Sequence, residues 1–184
     1  MAIEENRSYD TRAILQEMRE AYWEGIEQSA ESGAVETRDY VVFRLGSERF
    51  GIPTGFAREV LRLPRLVKVP RLPAHICGIV NLRGQIQAVT DLRPLLGLPT
   101  TALSARSQLI VVEAAAITTA LVTEGVEGIR SIPVAEIEPI TEGLAGFPRD
   151  AAEGHVVTEQ GLLVLLSLEH ILGRTEFTIN QKGE

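Results

Sequence analysis

Gly78-Ile79-Val80-Asn81-Leu82-Arg83-Gly84-Gln85-Ile86-Gln87-Ala88-Val89-Thr90-Asp91 decides the class of fold. Two runs of strand length flank Arg83-Gly84. A tight hairpin turn needs central residues that tolerate positive φ, which glycine does without steric cost. The stretch therefore reads as strand, turn, strand, with Arg83 held at an exposed tip. The same pattern extends in both directions. After Arg38 the hydrophobic period is about two and Gly and Pro punctuate it at short intervals, as in an all-β domain. Strands are predicted at Tyr40 to Leu45, Arg49 to Ile52, Glu59 to Leu63, Ile79 to Leu82 and Gln85 to Asp91. A second set follows at Gln108 to Glu113, Ile117 to Val122, Val126 to Ile132 and Leu162 to Leu166. Helices are short, at Arg93 to Leu96 and at Leu168 to Leu172, the latter capped by Ser167 and ended by Gly173. No strand and helix alternation supports a doubly wound or α/β-barrel enzyme. Two successive groups of about five short strands imply two small packed barrels, because closure removes exposed sheet edges. No exact repeat relates the groups, so any duplication is structural.

Upstream the period changes. Ile14, Met18, Tyr22 and Ile26 recur every four residues from Asp10 to about Ser29, with Glu17, Glu20, Glu24 and Glu27 facing elsewhere, which predicts an amphipathic helix. Ser29 to Glu36 has no periodicity and reads as a linker. The expected organisation is an acidic helix and linker over 1–37, an all-β body over 38–175 and a tail over 176–184. Residues 1–36 carry nine acidic and three basic side chains, so most of the formal charge of -7 lies there. From Arg58 to Arg93 seven cations face only Glu59 and Asp91, a basic segment suited to an acidic protein surface or a polyanion.

With 45% apolar residues the 184-residue chain can bury a core without staples, and the single cysteine, Cys77, allows no intrachain disulfide. The amino terminus has neither the basic start nor the apolar run of a signal peptide, and no apolar stretch approaches the ~20 residues of a membrane span. The chain reads as soluble and cytoplasmic, without membrane insertion. His75, Cys77, His155 and His170 lack the paired short spacing of a zinc site, and Cys77 has no activating base apart from proximity in sequence, so it reads as a packed thiol beside a surface imidazole. No glycine loop cradles phosphate, and no carboxylates form an acid/base pair, so neither catalytic residues nor a cofactor are expected. Residues 57 to 146 contain no Phe, Tyr or Trp, which disfavours nucleic acid because small-barrel binders stack bases on aromatics.

Identity is carried by motifs in order. Gly51-Ile52-Pro53, Arg58-Glu59-Val60-Leu61-Arg62, Val69-Pro70, Pro73, Gly78 to Gly84 and Val89-Thr90-Asp91-Leu92-Arg93, followed by Val126-Glu127-Gly128-Ile129 and Gly161 to Leu166, resemble the CheW family over about residues 38–173. That resemblance implies two SH3-like five-stranded barrels and a non-enzymatic scaffold coupling methyl-accepting chemoreceptors to a CheA-type histidine kinase. Carried over by position, it implies receptor binding by Arg83, Glu59 and Ala57, the last smaller than the apolar residue common in the family. It implies kinase binding, through the regulatory domain, by Gly78, Leu109 and Ile110. From the residues alone, Arg83 equally reads as a solvated turn arginine or a partner of Asp91 or Glu59, Gly78 as a backbone necessity, and Leu109 and Ile110 as core. An adaptor of a non-flagellar pathway, such as pili, and a small-barrel polyanion or ligand module are the alternatives, and self-association is open.

A chain beginning at residue 37 is expected to unfold in one cooperative transition and still to bind kinase; loss of cooperativity by calorimetry would make the acidic arm part of the core.

Overall fold

The computed structural model describes residues 35–140 and 147–174. The expected amino-terminal helix and the tail over 176–184 lie outside these residues. The described chain is mostly strand: β1 (Thr37–Leu45), β2 (Glu48–Pro53), β3 (Ala57–Arg62), β4 (Ile76–Leu82), β5 (Gln85–Thr90), β6 (Gln108–Ala114), β7 (Ile117–Thr123), β8 (Gly125–Pro133), β9 (Ala152–Thr158) and β10 (Gly161–Leu166). Two short helices follow hairpins, α1 (Arg93–Leu96) after β5 and α2 (Leu168–Leu172) after β10. The predicted strands are all present. β9 is an addition, because Glu153-Gly154-His155 breaks the apolar pattern and this strand takes its form from pairing with β10 and, at His155, from a bridge to Glu138.

The strands form two five-stranded sheets, ordered β8-β1-β2-β10-β9 and β3-β6-β7-β5-β4. The expected division into successive groups is corrected by this order. Each half of the chain gives its first hairpin to the other half's sheet. Read from β8 and from β3, both sheets pair antiparallel, antiparallel, parallel, antiparallel. The exchange has a physical reason. Parallel neighbours cannot be joined by a tight turn, so the parallel pairs β2–β10 and β5–β7 are met by strands distant in sequence.

The duplication extends to irregularities. Register shifts leave Arg58 unpaired opposite Val111 and Val112, and Glu127 unpaired opposite Val42 and Phe43. Isolated bridges join Val67 to Ile79 and Glu138 to His155, each through two backbone hydrogen bonds of 2.8–2.9 Å. Glycine sits beside each bridge for lack of space. A Cβ on Gly78 would run into the Val67 carbonyl, and one on Gly154 would lie 2.7 Å from the Glu138 oxygen. Gly78 also has φ +149, so it is required twice over.

β1 and β6 are apolar on both faces because each separates two cores. Tyr40 and Val42 join Leu163 and Leu165 within one sheet, whereas Val41, Phe43 and Leu45 turn to the central core. On β6, Leu109 and Val111 face Val80, Val89 and Val122, while Ile110 and Val112 enter that same central core. The alternation follows from the two-residue period of a strand. Both helices pack Leu92, Leu96, Leu168 and Leu172 there as well. The predicted cap of α2 differs in detail: Ser167 Oγ bonds His170 Nδ1 at 2.7 Å rather than a backbone N–H, and Gly173 is right-handed at φ -74.

Gly78→Ala and Gly154→Ala are each expected to lower stability by about 2 kcal/mol or more through backbone collision. Urea unfolding of the two variants measures this directly.

Candidate functional site

β3 and β8 are the equivalent edge strands of the two sheets, and a cleft of about 410 Å³ opens between them. Ala57, Glu59 and Val60 line one wall, Val126, Gly128 and Ile129 the other. The bulges at Arg58 and Glu127 re-aim both walls, as bulges at sheet edges do. Val60 and Ile129 remain 44% and 67% exposed, large enough to seat an apolar side chain from outside.

The β4–β5 turn brings Arg83 within reach of β3 at Glu59. Leu82 pairs with Gln85, leaving Arg83 and Gly84 as the loop with φ 53 and 86, so both central residues have the positive φ that the tight turn requires. The Gly84 N–H donates to Asn81 Oδ1 at 2.8 Å and fixes the turn. Arg83 Nη2 donates to Glu59 Oε1 at 2.6 Å, with the arginine side chain 82% exposed. An ion pair this exposed contributes little to stability. The structure thus brings Arg83 and Glu59 together and sets Ala57 in the same cleft. Of the two internal partners left open by the sequence, Glu59 holds Arg83, while Asp91 is taken by Arg93. Arg93 is buried, with Nε 2.9 Å from Asp91 Oδ1 and Nη1 2.6 Å from Glu124 Oε1; it also donates to Thr101. Of the basic segment, Arg58 also pairs, with Glu113, so the expected field is partly quenched.

The β8 wall holds a pair that sequence reasoning missed. Arg49, from β2, reaches across β1 to donate to Glu127 through Nε at 3.1 Å and Nη2 at 2.7 Å, and to Thr158 through Nη1 at 2.9 Å. Arg49 is buried, its side chain 9% exposed, while that of Glu127 is 29% exposed. The Arg49 guanidinium holds the Glu127 carboxyl below the usual range against the opposing effect of burial. A signal for this wall was present. Val126-Glu127-Gly128-Ile129 repeats the alternation of Ala57-Arg58-Glu59-Val60, apolar then charged, ending on a β-branched residue.

Three other expectations fare differently. Leu109 and Ile110, which the resemblance puts on the kinase-facing side, are fully buried here and their side chains enter opposite cores. Gly78 is buried beside the Val67–Ile79 bridge and offers only backbone. His75 is 5% exposed, not the surface imidazole expected, and its carbonyl accepts the Asp91 N–H at 2.7 Å. Burial pushes the Cys77 thiol up, the opposite of what a nucleophile needs.

The CheW-like domain model matches residues 39–176. Among relatives, the chemotaxis protein CheW of Rhizobium meliloti is 24% identical over 139 residues, covering 76% of this chain and 90% of that protein. Protein FrzA of Myxococcus xanthus is 33% identical over 120 residues, covering 65% and 72%. The crystal structure of the scaffolding protein TtCheW from Thermoanaerobacter tengcongensis matches with a TM-score of 0.67 at 28% identity, over 81% of this chain and 98% of that one. No helix among the described residues is long and apolar enough to cross a membrane.

Arg49→Met is expected to destabilise by about 2 kcal/mol at neutral pH, since it strips hydrogen bonds from a charged, partly buried carboxylate. The sign with pH follows from the lowered folded-state pKa of Glu127. The pair's contribution is fully present above the ordinary carboxylate range and is lost as pH falls through the depressed value. The gap between wild type and variant should therefore narrow in acid, as urea titrations at a series of pH values would record.

Proposed function

The chain belongs to the CheW-like domain family, matched over residues 39–176, and from that premise we propose that it is a non-catalytic cytoplasmic adaptor coupling methyl-accepting chemoreceptors to a CheA-type histidine kinase in chemotaxis signalling. The observation that carries the reading is the open cleft between β3 and β8 with the exposed Arg83–Glu59 pair at its side. A helical hairpin tip of a receptor suits such a cleft: apolar residues would lie against Val60 and Ile129, and a partner carboxylate would share the guanidinium of Arg83. Arg83 is preorganised for this by its turn, which lowers the entropy lost on binding. Ala57, half-buried in the wall, leaves room for a bulkier residue on the receptor side.

The kinase's regulatory domain would meet the β4 edge, where the Gly78 backbone and the Val67–Ile79 bridge lie. Leu109 and Ile110 support that sheet from inside. Each sheet is read as an SH3-like barrel, because the chain leaving β3 reaches the opposite edge strand β4 at Val67, and the chain leaving β8 reaches β9 at Glu138. Function would then be positioning. Binding both partners at once raises their effective concentration, and receptor state reaches the kinase only through contacts that differ between states.

Arg83→Glu tests the site. It reverses an exposed charge beside Glu59, so thermal unfolding should change little while affinity for a receptor cytoplasmic fragment falls about tenfold or more. Receptor recruitment equal to wild type would refute the assignment.

A further inference from the structure

The β8 wall has a second face. Behind Ile129 lies another cleft, of about 500 Å³, lined by Arg49, Glu127, Ile129, Arg130 and Gln160. Glu127, Gly128 and Ile129 border both clefts, so the two adjoin at β8.

Charge in this second cleft is unbalanced. Arg49 and Arg130 face one carboxylate, Glu127, and a third guanidinium, that of Arg44, has its Nε 4.0 Å from Glu127. Glu127 is already engaged by the buried Arg49. Arg130, which is exposed, donates Nη2 to Gln160 Oε1 at 3.0 Å. The arrangement parallels the other sheet, where Arg83 links a hairpin tip to β3 as Arg130 links β8 to the tip of the β9–β10 hairpin. The difference lies in the acceptor. Arg83 has a carboxylate as its hydrogen-bond acceptor within the chain, whereas Arg130 has a neutral amide, and the fork of a guanidinium matches a carboxylate through two parallel N–H···O bonds that a single amide oxygen does not offer.

We infer that this cleft is a carboxylate subsite, in which Arg130 takes an Asp or Glu side chain of the same receptor segment that fills the groove. This rests on the adaptor reading above. Arg130 is then a specificity-determining residue of the β8 wall. The matching segment places an apolar side chain on Ile129 and an acidic one a single helical turn away, since residues three or four apart share one helix face. Receptors without that carboxylate bind the groove more weakly.

The test measures affinity of the full chain for the cytoplasmic fragment of a methyl-accepting receptor from the same organism, by titration calorimetry. Arg130→Glu should raise Kd about tenfold or more and Arg130→Gln by less, with both effects shrinking at high salt. Binding to the kinase regulatory domain should be unchanged in both variants. Arginine in place of the receptor's acidic residue should restore binding to Arg130→Glu. If Arg130→Glu binds as wild type does while Arg83→Glu loses binding, the subsite is wrong and the groove stands. Equal loss of kinase binding would also overturn it, by exposing a global defect. If the wild-type chain binds no receptor fragment, the adaptor reading fails and the subsite with it.

Discussion

Everything in this fold depends on two short parallel pairings, β2 with β10 and β5 with β7. Each is the point where a hairpin from one half of the chain completes the sheet of the other. Neither sheet is whole without both halves, and the central core draws on β1, β2, β6, β7, β10 and both helices. Unfolding one sheet removes strands from the other half's sequence. The expected consequence is a body that responds as one cooperative unit, unlike two independent domains joined by a linker.

The site inherits its properties from that constraint. β3 and β8 are edges, but each is anchored along its length to a strand buried on both faces, β6 and β1. The groove walls are therefore rigid backbone carrying exposed side chains, and partner contact costs little reordering. Charge follows the same division. Arg93 and Arg49 are buried and engaged within the body, whereas Arg83 and Arg130 stand out at hairpin-linked positions where their pairings contribute little to the fold.

The sequence made some of this legible and hid the rest for physical reasons. Local chemistry was readable: Gly84 demands a turn, the uninterrupted apolar runs of β1 and β6 demand burial, and α1 and α2 begin and end where their residues suggest. From the residues alone Glu59 and Asp91 were equal candidates to hold Arg83, because spacing says nothing about β3 meeting a hairpin tip. Strand exchange was invisible, since a parallel partner leaves no mark on either strand's own pattern. Arg49–Glu127 escaped because β1 lies between the strands that carry it. The repeat was present in degraded form, with Asp91-Leu92-Arg93-Pro94-Leu95-Leu96-Gly97 answered by Ser167-Leu168-Glu169-His170-Ile171-Leu172-Gly173, too divergent to read as a repeat before the topology is known. For Leu109 and Ile110 the residues alone already offered a core reading, and the two-residue period of β6 sends them into opposite cores.

The central claim is simultaneous occupancy, in which one copy of this chain holds a kinase regulatory domain and a receptor tip at once. Sedimentation velocity on the three purified components tests it most directly. The account predicts a ternary boundary heavier than either binary complex, with neither partner displaced. Binary complexes that exclude one another, or binding to only one partner at any concentration, would contradict it.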